Sequence, residues 1–188
     1  MSNEAALPRV PPFASPAGRI GVLVYDPPAD AGQVLNPAIA LLRQRGVSVG
    51  GLAQRVGGPD SGRKPSLWID HVETGRTLRL DRPRGPGARD CILDPDALAE
   101  AAVWLRQTIE RCPAVIAVNR FGHTEAEGDG LRAEIAEAVC SGAVVLVAVR
   151  RALLPDLEAF LGGTPNVLPP DVEGIADWAE RTAMAVTG

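Results

Sequence analysis

With 188 residues, 46% of them hydrophobic and 22% charged, the chain carries enough apolar material for the core of one ordinary globular domain, which excludes a disordered or fibrous protein. Lys+Arg 19 against Asp+Glu 23 gives a formal charge of −4, which argues against a general nucleic-acid binder and for a small ligand or a protein partner. Cys91, Cys112 and Cys140 are widely spaced and form no CxxC pattern, so neither a disulfide framework nor a structural zinc site is expected; buried or half-buried packing thiols are.

Residues 1–17 carry an early acid and several prolines, without the basic start and apolar run of a secretory signal, and read as a flexible leader to one α/β domain over 18–188. No apolar segment has the length to cross a bilayer, so the expectation is a cytoplasmic protein with no membrane partner. The run "RIGVLVY" predicts a strand buried on both faces. "AGQVLNPAIALLRQRG" sets Val34, Leu35, Ala38, Ile39, Leu41 and Leu42 at helical spacing and ends on a glycine suited to a C-cap. "VSVGGLAQR" supplies a second strand after a minimal loop, and strand, helix and strand joined this tightly predict a βαβ unit in a parallel sheet.

A Gly/Pro loop, "GGPDSGRKPS", precedes "LWIDHVETGRTLRL", whose alternation about Glu73-Thr74-Gly75 predicts a β-hairpin. A second loop, "DRPRGPGARD", leads to a helix for which Asp94 is the cap and Pro95 the first position, with Leu98, Ala102 and Leu105 along one face and Trp104 packing against a neighbouring element. "AVIAVN" predicts another buried strand, "LRAEIAEAVCSG" a helix closed by Gly142, and "AVVLVAV" a further buried strand. The tail reads as two helices, "LPDLEAFLGG" and "VEGIADWAERTAMAVTG". The order implies a three-layer α/β domain with a mainly parallel sheet and an inserted β-hairpin.

Ligands of such sheets bind beyond the carboxyl ends of the parallel strands. Two segments fall there. "VYDPPADAGQVLN" occupies the strand-to-helix turn where a phosphate loop would sit, and "NRFGHTEAEGDG" is the densest polar cluster in the chain. In the second, His123 could act as acid or base near neutral pH with Glu125 or Glu127 as partner, and Arg120 could stabilise negative charge; a locally bonded surface histidine is the plain alternative. The only other histidine, His71, belongs to the hairpin, so a metal site is not expected. Arg55, Arg63, Lys64, Arg76, Arg79, Arg82, Arg84 and Arg89 give the middle third a basic bias that suits either anion binding or a solvated loop surface. No GxSxG, HExxH or GxGxxG occurs.

"IGVLVY…AGQ…LLRQRGVSVGGLAQ", "HVETGRTLRL", "LDPDALAEAAVWL" and "VIAVNRFGHTEAEGDGLRAEIAEAV" together resemble an uncharacterised bacterial domain family whose members are encoded beside molybdate-transport genes. More distantly, the layout is similar to P-loop nucleoside triphosphatases of the THEP type. That resemblance implies a P-loop-like fold with degenerate Walker motifs. Gln33 stands where the phosphate-binding lysine would be and Val34 where the magnesium-holding hydroxyl would be; Asn119, Arg120, Gly122 and Glu125 fall on a second motif that would read Asp, Glu, Gly and Glu. Phosphoryl transfer rests on such positioned charges, so their loss implies little hydrolysis. The expected function is that of a binding or accessory protein for a nucleotide or a small oxyanion such as molybdate, with Asp26, Asp30, Gly32, Gln33, Arg89, Asn119, Arg120, His123 and Glu125 as ligand-binding candidates. Asp26 and Asp30 disfavour a multiply charged phosphate unless a cation accompanies it, whereas Arg89, Arg120 and His123 favour an oxyanion. The alternatives are an active nucleoside triphosphatase or other enzyme using Glu125, Glu127 or His123, and a protein-interaction module; a homodimer is compatible with either.

Overall fold

The computed structural model describes residues 16–57, 66–82 and 92–187. Residues 1–15 of the expected leader, most of both Gly/Pro loops, and with them Arg63, Lys64, Arg84, Arg89 and Cys91, lie outside the described residues; the leader's last two residues instead begin a 3-10 turn (Pro16–Arg19) with Ala17 buried. Among those described, the main sheet contains seven strands: β1 (Ile20–Tyr25), β2 (Val49–Val56), β3 (Leu67–His71), β4 (Thr77–Arg79), β7 (Val115–Phe121), β8 (Val144–Arg150) and β9 (Asn166–Leu168). A separate small pair joins β5 (Asp81–Arg82) to β6 (Ile92–Leu93) in antiparallel fashion.

The strand order is β4-β3-β2-β7-β8-β1-β9. From β2 to β9 every pairing is parallel, and the β3–β4 hairpin is added in antiparallel fashion at the β2 edge. The hairpin is therefore part of the main sheet. β1 and β2 are parallel as the βαβ reading predicts, but β7 and β8 lie between them.

Two helical layers cover the sheet because its strands are apolar on both faces. α1 (Gly32–Gln44) and α6 (Val172–Thr187) pack Leu35, Ile39, Leu42, Ile175 and Ala179 on one face against Leu23, Val115, Leu146 and neighbours. α2 (Pro95–Glu110), α4 (Arg132–Cys140) and α5 (Leu154–Leu161) pack Leu105, Ile135 and Leu157 on the other face against Ile20, Ile116, Val118 and Val147. Each fully buried side chain of this kind contributes about 1.5–3 kcal/mol. α1 holds Pro37 inside it, and Gly46 just beyond it takes φ 82°, the left-handed conformation expected of a helix-ending glycine. α2 begins as predicted, with the Asp94 carboxylate accepting the Asp96 N–H at 3.0 Å and Pro95 in the first position. Trp104 is buried, its ring 5.3 Å from that of His71 and beneath the Arg76 guanidinium at 4.8 Å.

Several expectations need correction. β9 was hidden because a three-residue strand between two helices carries too little period to register. β5 and β6 border a Gly/Pro-rich stretch that reads only as loop. β7 does not stop at Asn119 but continues through Arg120 and Phe121 past a register shift after Ala117, so the start of the polar cluster is strand and not loop. A shift of that kind lets polar residues join a strand whose alternation has been broken. Cys112 and Cys140 are exposed free thiols at helix ends, not the packing thiols expected. Among the described residues, no helix is long and apolar enough to cross a membrane.

Candidate functional site

The parallel strands deliver their carboxyl ends to one edge of the sheet. Tyr25 and Arg150 pair at the ends of β1 and β8, and Arg120 sits beside Ala148 near the end of β7. Above them runs a crevice with two chambers. The first, about 490 Å³, lies on the α1 side and is lined by Tyr25, Asp30, Gln33, Asn36, Arg120 and Arg150 among others. The second, about 400 Å³, lies on the α2 and α4 side over Phe121, Leu131 and Leu153. Both chambers share Gln54, Leu67, Arg120 and Arg150, which form the crest between them.

The turn from β1 to α1 has the position of a phosphate loop and a different content. Asp30 Oδ1 accepts the Gly32 N–H at 3.0 Å, so a carboxylate of the chain already occupies a backbone donor at the start of α1. Gly32 is required by close approach: a Cβ there would lie 2.7 Å from the Gln54 carbonyl oxygen. Asn36 Nδ2 donates to that same carbonyl at 2.8 Å and ties α1 to β2. Gln33 is exposed and faces the first chamber, while Val34 packs against the α1–α6 core. Asp26 is exposed and pairs outward with Arg151 Nε at 2.8 Å.

Arg120 is half-buried and donates to the Tyr25 hydroxyl at 3.3 Å. Among the described residues, neither Arg120 nor the exposed Arg150 is paired with a carboxylate, and both line the chamber that Asp30 also lines. Asn119 precedes Arg120 in β7.

Beyond β7 the chain makes α3 (His123–Ala126), then turns into α4. Glu125 is buried, and its carboxylate bridges the two helix starts: Oε2 accepts the Gly122 N–H at 2.8 Å and Oε1 the Leu131 N–H at 3.1 Å. Its carbonyl oxygen accepts from Arg132 at 2.8 Å. Gly130, at φ 65°, leaves room for that carboxylate, which a Cβ would strike. Both oxygens of Glu125 are thus engaged as caps. His123 is exposed and borders the second chamber, and Glu127 is exposed outside either chamber. Among the described residues, no three His, Cys, Asp or Glu side chains gather closely enough to hold a metal ion.

The structure therefore brings Asp30, Gly32, Gln33 and Arg120 to one chamber and His123 and Glu125 to the other, with Arg120 touching both; Asp26 and Glu127 stand apart. Sequence reasoning missed Tyr25, Gln54 and Arg150. Arg150 could have been found, since it is the first polar residue after the apolar run "VVLVAV", at the end of a parallel strand where ligand contacts gather.

A mainly parallel sheet covered by helices on both faces, with a strand-to-helix turn in the phosphate-loop position after its first strand and a polar motif ending a later one, defines a P-loop-like α/β domain. The chain belongs to the family described as "Protein of unknown function (DUF2478)", whose model matches residues 20–178. It is also 32% identical over 165 residues, 88% of its length, to a protein named molybdenum import ATP-binding protein ModC 2 of Bradyrhizobium diazoefficiens, of which it spans only 18%. In fold it is similar to a human cancer-related nucleoside triphosphatase solved in solution, with a TM-score of 0.59 and 17% identity over 90% of this chain and 96% of that one.

Proposed function

We propose that this domain binds a small anionic ligand, a nucleotide or an oxyanion, in the crevice at the carboxyl edge of its sheet and does not hydrolyse it. The observation that carries this reading is a pair of guanidinium groups, Arg120 and Arg150, not ion-paired with any described carboxylate, at the crest of a crevice whose first chamber is about 490 Å³. Cavities of that size suit small molecules, and a guanidinium recognises carboxylate, phosphate or a similar oxyanion through paired N–H donors. The phosphate-loop resemblance and the likeness to part of an ATP-binding protein favour a nucleotide. The word molybdenum in that relative's name favours an oxyanion.

The case against turnover is chemical. Gln33 and Val34 stand at the lysine and hydroxyl positions, and Glu125 spends both carboxylate oxygens on backbone N–H groups. Among the described residues, then, no cluster is placed to hold magnesium and Glu125 is not free to activate a water, and catalysis of phosphoryl transfer consists mainly of that positioning. The domain would serve as a binding or accessory unit, in the cytoplasm and alone or as a homodimer.

Calorimetric titration with ATP, GTP and molybdate, beside an assay of phosphate release over hours, tests this. Saturable binding of at least one ligand is expected, weakened tenfold or more by Arg120→Ala, with no release above the buffer control. Steady release of phosphate would overturn the non-hydrolysing reading, and silence from all three ligands would favour a protein-interaction role.

A further inference from the structure

The two chambers differ in chemistry, and the difference bears on what kind of anion fits. The first is walled by the polar residues of the β1–α1 turn. The second penetrates the apolar core on the α2 side: Ile69, Leu80, Phe121, Leu131 and Leu153 in its lining are all buried, and Leu98 closes it from α2. Its two buried acids are already answered within the fold. Asp81 accepts from the Arg79 guanidinium at 2.9 and 3.1 Å and from the Leu67 N–H at 2.8 Å, and Arg79 holds its carboxyl below the usual carboxylate range. Glu125 is taken by Gly122 and Leu131. The other polar side chains that line this space are Gln54, Arg120 and Arg150 on the crest and His123 and Thr124 at the start of α3.

An inorganic oxyanion on the crest would leave the apolar part of this chamber of about 400 Å³ without an occupant. Apolar surface held against water is a standing cost that a ligand with an apolar body would remove. The two arginines sit where such a ligand's charged end would be, since the crest is the only lining that both chambers share.

We infer that the second chamber is a subsite for the apolar body of an organic anion, so that the ligand is a ring-bearing monoester or similar compound whose single oxyanion group lies on Arg120 and Arg150. This rests on the anion-binding reading above and narrows it: a nucleotide qualifies if it enters base first from the crest, and a bare oxyanion does not fill the site.

Methyl phosphate and phenyl phosphate carry the same charged group and differ in the ring, which makes them the probes. Titrated into the full chain, phenyl phosphate should bind at least tenfold more tightly than methyl phosphate. Leu98→Trp, filling the chamber from α2, and Thr124→Phe, filling it from α3, should each erase that preference and leave methyl phosphate affinity within twofold. Arg120→Ala should weaken both ligands. Melting curves identify any variant that fails to fold, and the comparison on the unaltered protein decides even if both do. Equal affinity for the two phosphates would overturn the subsite while leaving the anion site standing. No binding of either at 10 mM would overturn both, and molybdate binding without any gain from a ring would assign the crevice to inorganic oxyanions.

Discussion

Replacing Glu125 separates two accounts of the residue that matches the last acid of the nucleotide-hydrolase motif. As a general base it would touch ligand or water, and its loss would remove activity at little expense to the fold. As the clamp seen here, it closes α3 and α4 together through Gly122 and Leu131. Bonds from backbone N–H to a charged acceptor are worth about 1.5–3 kcal/mol each, and orphaned buried donors carry a penalty of about 1–3 kcal/mol. Since these describe the same loss from two sides, Glu125→Ala should destabilise by about 3 kcal/mol in total, a fall in Tm of roughly 6–12 °C for a domain of this size. Glu125→Gln should recover less than half, because one carboxamide oxygen can serve one donor while its NH₂ confronts the other. Thermal and urea denaturation followed by circular dichroism measures both. An alanine variant melting within about 1 °C of the parent would refute the clamp.

Asp30→Asn retains an acceptor for the Gly32 N–H but removes the negative charge, so phosphate-bearing ligands should bind several-fold more tightly by calorimetry; unchanged affinity would show that Asp30 does not repel them. Gly32→Ala forces a Cβ against the Gln54 carbonyl, and a loss of about 1–3 kcal/mol is expected in urea denaturation, with an unchanged midpoint counting against the close approach. His71 is buried with Nδ1 2.6 Å from the Thr74 hydroxyl and Nε2 3.2 Å from Glu73; burial lowers its pKa, with Glu73 opposing. The unfolded chain then binds the extra proton first, so this stabilisation is whole above about pH 6.5 and declines as pH falls below it. Denaturation at pH 7.5 and 5.5 should show a larger acid loss in the parent than in His71→Gln, and equal losses would refute the assignment.

What could be read in advance followed from strength of pattern. β1, β8 and most of β7 are continuous apolar runs, and α1 and α2 carry both a stripe and a boundary residue, Gly46 or Asp94; each is visible within a short window of sequence. The crevice was legible in place because the loops after parallel strands converge there. Its composition was not, because side chains from distant segments meet only after the sheet is ordered: Gln54 belongs to β2, Arg120 to β7 and Arg150 to β8. Nor does sequence distinguish a carboxylate that meets a ligand from one that meets the backbone. Glu125 looked like an acid of a site, and its two partners lie three residues behind it and six ahead.

The same distinction explains how an architecture suited to phosphate can be turned to another anion. A helix that follows a parallel strand starts at the carboxyl edge, and its free N–H groups make that edge a natural anion seat. Here five of these starts, those of α1, α2, α3, α4 and α6, are closed by the chain's own acids, while α5 has no side-chain cap. Asp30 holds Gly32 at α1, Asp94 holds Asp96 at α2, Glu125 spans α3 and α4, and Asp171 holds Gly174 at α6 at 2.7 Å. A polyphosphate entering along α1 must displace a carboxylate and approach its charge, without the lysine that would offset both. Side-chain cations can still attract an anion, and Arg120 and Arg150 stand on the strand ends and line the same chamber as the closed start of α1. On the proposed reading, recognition moves from helix start to strand end and the fold is kept, so a phosphate loop without its lysine would still leave the domain able to hold a ligand.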